Sequence, residues 1–253
     1  MSDNEHMKIS LFTDIGQKRS NNQDFINKFD NRAGHTLIVL ADGMGGHRAG
    51  NIASEMTVTD LGCEWINTDL TDLGQIRDWL VNNIEKVNRR IYELGQTDDF
   101  QGMGTTIEAL VIIENNVLFA HIGDSRISLI HDGVYTQLTS DHSLVNELVK
   151  AGQITEEEAA SHPQKNIITQ SIGQASPVEP DLGIQTLGAN DYLLVNSDGL
   201  TNMISNEAIV AVLTDETKDL DEKAKHLIQL ANDAGGLDNI TVALIHAESE
   251  GDQ

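Results

Sequence analysis

Four aspartates stand where apolar runs begin or end. Asp42 follows Leu37–Ala41 and precedes Gly43, and Asp124 follows Gly123. Asp198 follows Leu193–Ser197 and precedes Gly199, and Asp238 follows Gly235-Gly236-Leu237 and opens the last apolar run. Glycines beside them let a backbone carbonyl or a ligand approach closely. Strand ends far apart in sequence can converge in space, and converging carboxylates repel one another unless a cation sits among them. An all-oxygen donor set without His or Cys suits a hard ion such as Mg2+ or Mn2+. A single Asp-Gly pair is ordinary turn chemistry. Four such aspartates at strand ends form a candidate metal centre, and they leave a nuclease, a phosphatase and a structural site open.

The elements that must position these residues are legible as alternating types. His35–Asp42 reads as a buried strand. Thr105–Ile113 and Val117–Ile122 flank the turn signal Asn115-Asn116, and Ser125–Ile130 and Val134–Leu138 flank His131-Asp132-Gly133. Tyr192–Asn196 and Ile240–His246 are further apolar strands. Short turns between strands imply antiparallel sheet. Ile76, Leu80, Ile84, Val87, Ile91 and Leu94 keep helical spacing, with a preceding helix over about 49–66 and a later one over 221–234 that stops at Gly235-Gly236. Two short helices are predicted at 143–151 and 156–161, the second with Thr155 and Glu158 as a capping box. Antiparallel sheets with helices segregated to the outside indicate an α+β domain.

Composition narrows the chemistry. The chain has 253 residues, enough to bury a large core, and 16 Lys+Arg against 40 Asp+Glu give a net charge of −24. That field repels nucleic-acid backbones and anionic membranes, so neither is an expected partner. No apolar run is long enough to span a bilayer, and no secretory leader is visible, which points to a cytoplasmic protein. The single Cys63 excludes an internal disulfide and a cysteine-based zinc cage, and six residues beyond it stands Asp69 where a cysteine phosphatase needs Arg. Cys63 is expected in the core. Neither G-x-x-x-x-G-K-[ST] nor G-x-G-x-x-G occurs. Residues 1–6, ahead of a second Met at Met7, read as a tag. Residues 7–247 read as one domain, and 248–253 as a polar tail. The thin aromatic content favours a monomer.

The wider strings around the aspartates are more specific. They run Thr13-Asp14-Ile15-Gly16-Gln17-Lys18-Arg19 through to Asp24, then Ala41-Asp42-Gly43-Met44-Gly45-Gly46-His47, then Gly102-Met103-Gly104-Thr105-Thr106. Ile122-Gly123-Asp124-Ser125-Arg126, Thr139-Ser140-Asp141-His142-Ser143, Ser197-Asp198-Gly199-Leu200 and Asp238-Asn239-Ile240-Thr241-Val242 follow. In order and spacing the seven resemble the PPM (PP2C-type) serine/threonine protein phosphatases, in particular their compact bacterial branch, over roughly residues 8–246.

The resemblance implies a four-layer αββα sandwich, two antiparallel sheets face to face with helices on both outer faces, and metals at one edge. It implies that Asp42 bridges two Mn2+ or Mg2+ ions and that Gly43 offers its carbonyl to the first. Asp198 and Asp238 would bind the second, and Asp124 a third, weaker ion. Asp24 would hold metal-bound water in the outer shell, and Arg19 would bind phosphate. The implied reaction is hydrolysis of phosphoserine and phosphothreonine on proteins by a metal-bridging hydroxide, without a phosphoenzyme, opposing a Ser/Thr protein kinase. Many members carry His directly after the Asp-Gly pair; here that position is Met44, so His47 is the candidate general acid, with a water on the third metal as its rival. Residues 142–173 would form a flap beside the site, with Gln170 where an arginine is usual, which puts a flap-to-sheet ion pair in doubt. Ser143 and Ser161 are further candidate oxygens for the third ion. The alternative is a catalytically dead, phosphoprotein-binding member of the same family.

Overall fold

The computed structural model describes residues 7–46 and 49–248. The tag-like residues 1–6, the end of the polar tail and His47 lie outside the described residues. Among the described residues, eleven strands and seven α-helices build four layers. The strands are β1 (Met7–Asp14), β2 (Asp24–Asp30), β3 (Thr36–Met44), β4 (Gly104–Thr105), β5 (Ile107–Ile113) and β6 (Asn116–Ile122). They continue with β7 (Arg126–His131), β8 (Val134–Gln137), β9 (Asp181–Thr186), β10 (Tyr192–Asn196) and β11 (Ile240–Ala247). The helices are α1 (Ala49–Trp65), α2 (Leu73–Leu94), α3 (Leu144–Lys150), α4 (Glu156–Ala160), α5 (Asp198–Thr201), α6 (Asn206–Leu213) and α7 (Leu220–Asp233).

The first sheet runs β1-β11-β10-β7-β8 and the second β2-β3-β5-β6-β9, with β4 paired to β3. Every pairing is antiparallel, as the short turns imply. The period of two decides which core each strand residue enters. In β3, Ile38 and Leu40 join the core between the sheets, whereas Leu37, Val39 and Ala41 face α1 and α2. In β11, Ala243 and Ile245 face the other sheet, while Val242 and Leu244 face α6 and α7. These three cores make the expected αββα sandwich.

Helix ends follow their local chemistry. Asp72 accepts from the Gln75 N–H at the start of α2, and Asp219 with Glu222 forms a capping box on α7. The predicted Thr155–Glu158 capping box opens α4. Cys63 departs from its expectation: it is exposed. Leu61, Gly62 and Trp65 take the buried stripe of α1 around it, so helical phase rather than mean hydropathy sets its place.

Candidate metal centre

The aspartates converge at one end of the sandwich because β3, β6 and β10 end there and β11 begins there. Asp42 lies in β3 directly opposite Asp24 of β2. Its backbone is fixed from the neighbouring strand: the Asp42 N–H donates to Thr106 Oγ1 at 3.0 Å, and its carbonyl accepts from the Thr106 N–H at 2.9 Å and Thr105 Oγ1 at 2.8 Å. Gly43 is required here, since a Cβ would collide with the Gly50 carbonyl at the start of α1. Asp124 follows Gly123, whose φ of +123° aims the turn and whose missing side chain leaves room for Thr106. Asp198 opens α5, with Oδ2 accepting from Asn202 Nδ2 at 2.9 Å. Asp238 precedes β11; its Oδ1 accepts from the Asn239 N–H at 2.8 Å and its Oδ2 from the Arg19 guanidinium at 2.7 Å.

A cleft of about 250 Å³ is lined by Arg19, Asp42, Gly43, Asp124, Asp198 and Asp238, together with Met44, Asn166 and Asn239. Among the described candidates, Asp24, Ser143 and Ser161 stand outside it. Asp24 sits behind the cleft, 4% exposed, with Oδ2 accepting from Ser197 Oγ at 2.7 Å and Thr241 Oγ1 at 2.6 Å. His47 lies outside the described residues. Ser143 caps α3, accepting from the Asn146 N–H, and the exposed Ser161 donates to the Glu158 carbonyl.

The electrostatics are those of a site short of positive charge. Burial pushes Asp24 up to about 6, and burial with the Asp141 charge pushes Asp124 up to about 6. Burial with the charges of Asp124, Asp238 and Asp24 pushes Asp198 up to about 8. Burial with Asp24, Asp198, Asp124 and Asp238 holds Asp42 well above the carboxylate range. Asp24 Oδ1 and Asp198 Oδ1 are buried without a hydrogen-bond partner. These orphaned oxygens and mutually repelling carboxylates fit divalent cations. Among the described residues no three His, Cys, Asp or Glu side chains are placed to enclose one ion.

Three supporting parts escaped the sequence reading. Asn239 accepts from the Gln23 N–H at 2.8 Å and donates to the Ile15 and Asn21 carbonyls, so one side chain sets the loop that carries Arg19. Ser197 and Thr241 hold Asp24. Arg126 forks onto Asp141 through Nε and Nη2, at 2.7 to 3.1 Å. All belong to the strings around the aspartates, but what they touch lies far off in sequence and shows only in the fold.

Known proteins share this sequence and fold. A family model described as Protein phosphatase 2C matches residues 16–233. The protein phosphatase PhpP of Streptococcus pneumoniae is 59% identical over 244 residues, covering 96% of this chain and 99% of the relative. A solved S. agalactiae serine/threonine phosphatase is 71% identical with a TM-score of 0.94, covering 96% and 100%. The catalytic domain of the serine/threonine protein phosphatase PstP, solved with two manganese ions, is 34% identical with a TM-score of 0.83, covering 96% and 99%.

Proposed function

This chain belongs to the protein phosphatase 2C family, and from that premise we propose that it is a Mn2+- or Mg2+-dependent phosphatase of phosphoserine and phosphothreonine on proteins. The observation that carries the reading is the convergence of Asp42, Asp124, Asp198 and Asp238 at one cleft, with Asp24 behind it opposite Asp42, two orphaned oxygens and Arg19 at its rim. The binding-only alternative draws no support from a site with every aspartate in place.

The residues divide the work. Asp42, the Gly43 carbonyl, Asp198 and Asp238 would hold the two core ions, Asp124 would hold a third and weaker one, and Asp24 would hold metal-bound water in the outer shell. Bound divalent ions supply Lewis-acid activation of water and neutralise the phosphoryl charge. Arg19 presents a planar fork suited to two phosphate oxygens, and its exposure at the rim lets it meet an incoming phosphate. His47 is the proposed proton donor to the leaving Ser or Thr oxygen. The net charge of −24 repels a phosphate at long range, so phosphopeptides with basic flanks bind better at low salt. We further propose that the protein is cytoplasmic and monomeric and opposes a Ser/Thr protein kinase. Among the described residues no helix is long and apolar enough to cross a membrane.

The test is phosphate release from a phosphothreonine peptide with Mn2+ and then with excess EDTA. Turnover that EDTA removes is expected; no release under any metal from folded protein overturns the reading. His47→Ala is expected to slow the peptide more than an aryl phosphate, whose leaving group needs less protonation. An equal loss on both removes His47 from that role.

A further inference from the structure

The segment that carries α3 and α4 starts at His142, whose side chain is 8% exposed and bonded at both nitrogens. Nδ1 accepts from the Gly123 N–H at 3.2 Å, and Nε2 lies 3.2 Å from Asp181 Oδ2 at the start of β9. The pattern fixes a neutral ring with its proton on Nε2. Burial and the nearby charge of His121 lower the pKa of His142, which keeps the Nδ1 lone pair available. The His142 N–H donates to the Gly123 carbonyl at 2.7 Å, so residues 123 and 142 are joined in both directions. The His142 carbonyl accepts from the Thr169 N–H at 2.8 Å, closing the two ends of the segment on each other beside the Ser143–Ile168 bridge.

The ring also has a rigid backing. His121 lies 4.7 Å from it, centroid to centroid. His121 Nδ1 is 2.5 Å from Glu108 Oε1, and Nε2 is 3.2 Å from the Ser140 carbonyl. One imidazole thus touches the turn immediately before Asp124, the base of the flap and β9.

We propose that His142 is a positioning residue that couples the Asp124 turn to the base of the flap, so that the two keep or lose their places together. Its catalytic consequence rests on Asp124 being a metal ligand; the mechanical coupling does not. Three variants separate the contacts. His142→Ala removes both. His142→Asn keeps an oxygen where Nδ1 stood, able to accept from the Gly123 N–H. His142→Gln keeps an amide N–H reaching toward Asp181.

Hydrogen exchange on the metal-free protein reads the coupling without turnover. His142→Ala is expected to speed exchange about tenfold, the worth of one lost hydrogen bond, both at 122–126 and across 144–168. His142→Asn restores protection in both segments, and His142→Gln restores it in neither. Should His142→Ala fail to fold, the contrast between Asn and Gln reads the same coupling. Loosening of the turn with an unchanged flap, or equal protection in Asn and Gln, overturns the proposal. In the Mn2+-loaded enzyme, His142→Gln is expected to raise the Mn2+ concentration for half-maximal activity, in the direction of Asp124→Ala, and His142→Asn to restore it. A purely structural role would lower the melting temperature of both and leave their Mn2+ dependence alike. An Asp124→Ala with unaltered Mn2+ dependence would remove the ligand assignment while leaving the exchange result to decide the coupling.

Discussion

Glu108 and the aspartate cluster are buried at the same end of the sandwich, and each leaves a carboxylate oxygen without a hydrogen-bond partner. Yet the two regions are charge-balanced in different ways. Glu108 faces His121 across β5 and β6. Burial opposes the charge on His121, but the Glu108 carboxylate and its hydrogen bond outweigh that and push the imidazole up to about 9. The pair supplies its own cation. The five aspartates have the Arg19 guanidinium on Asp238, and the charges of Arg126 and His121 ease Asp124 and that of Arg126 eases Asp198, yet burial and mutual repulsion still hold both carboxyls high. An orphaned oxygen alone therefore does not mark a metal site. The mark is a surplus of buried negative charge that the chain itself leaves uncompensated.

The largest expected effect breaks the acidic side of this comparison. Asp198→Ala or Asp238→Ala should lower kcat/KM for a phosphopeptide by at least about a thousandfold, which is about 4 kcal/mol of transition-state stabilisation. Retained activity in either variant, measured at saturating Mn2+, would reject its ligand role. The paired side responds in stability instead. Glu108→Ala removes the carboxylate that holds the charge on buried His121, leaving the ring without its Nδ1 partner beside a cavity, and should destabilise the fold by about 3–5 kcal/mol in urea unfolding. A loss below about 1 kcal/mol would mean that the pair is not the compensated unit described, since partner removal otherwise exposes the desolvation cost.

A third measurement sets the regions against each other. In EDTA, Asp198→Asn removes repulsion and should raise stability by about 1–2 kcal/mol, while Mn2+ at a hundredfold excess over its Kd should add about 2.7 kcal/mol to the wild type and much less to the variant. Equal Mn2+ stabilisation of both proteins would place the ion away from Asp198. The smallest effect is a pH slope. Asp24, Asp124 and Asp198 bind protons more tightly folded than unfolded, so their stabilisation is complete below the ordinary carboxylate pKa and is lost as pH rises through about 6 to 8. The metal-free protein should therefore melt lower at pH 8 than at pH 6, and saturating Mn2+ should abolish or invert that slope.

The contrast also explains what was legible in the sequence. The central strands β3, β5, β6, β10 and β11 are near-continuous apolar runs, and the helices α1, α2 and α7 lie within a few residues of where spacing puts them. The strands β1, β2 and β9 went unread. Each is a sheet edge with one face half solvated, so Lys8, Asn27 and Gln185 interrupt the apolar pattern. The helices α5 and α6 were likewise hidden, the first by its four residues and the second by its eight. Four of the aspartates were visible because each stands within two residues of a glycine at an apolar strand end, whereas Asp24 showed only through the family resemblance. The Glu108–His121 pair was not, because its partners meet only through the register of β5 on β6, and a lone Glu in an apolar strand carries no sign of what lies opposite. Gln170 is exposed; residues 142–173 close on themselves at Ser143–Ile168 and are tied to the rest of the fold by the Thr105–Ile172 pairing and by Asn88, which accepts from the Gly173 and Gln174 N–H groups.

The register Met7↔Ala247 has a consequence for biosynthesis. Every strand of the second sheet lies between Asp24 and Thr186, so that sheet and its covering helices α1 and α2 can assemble while the rest of the chain is still being made. The first sheet cannot. β1 leaves the ribosome first yet pairs only with β11, so it waits unpaired through more than two hundred residues of translation. Arg19 meets Asp238 at the same late moment. The acidic cluster is therefore complete only once the last strand docks and brings Asp238 to the ends of β3, β6 and β10.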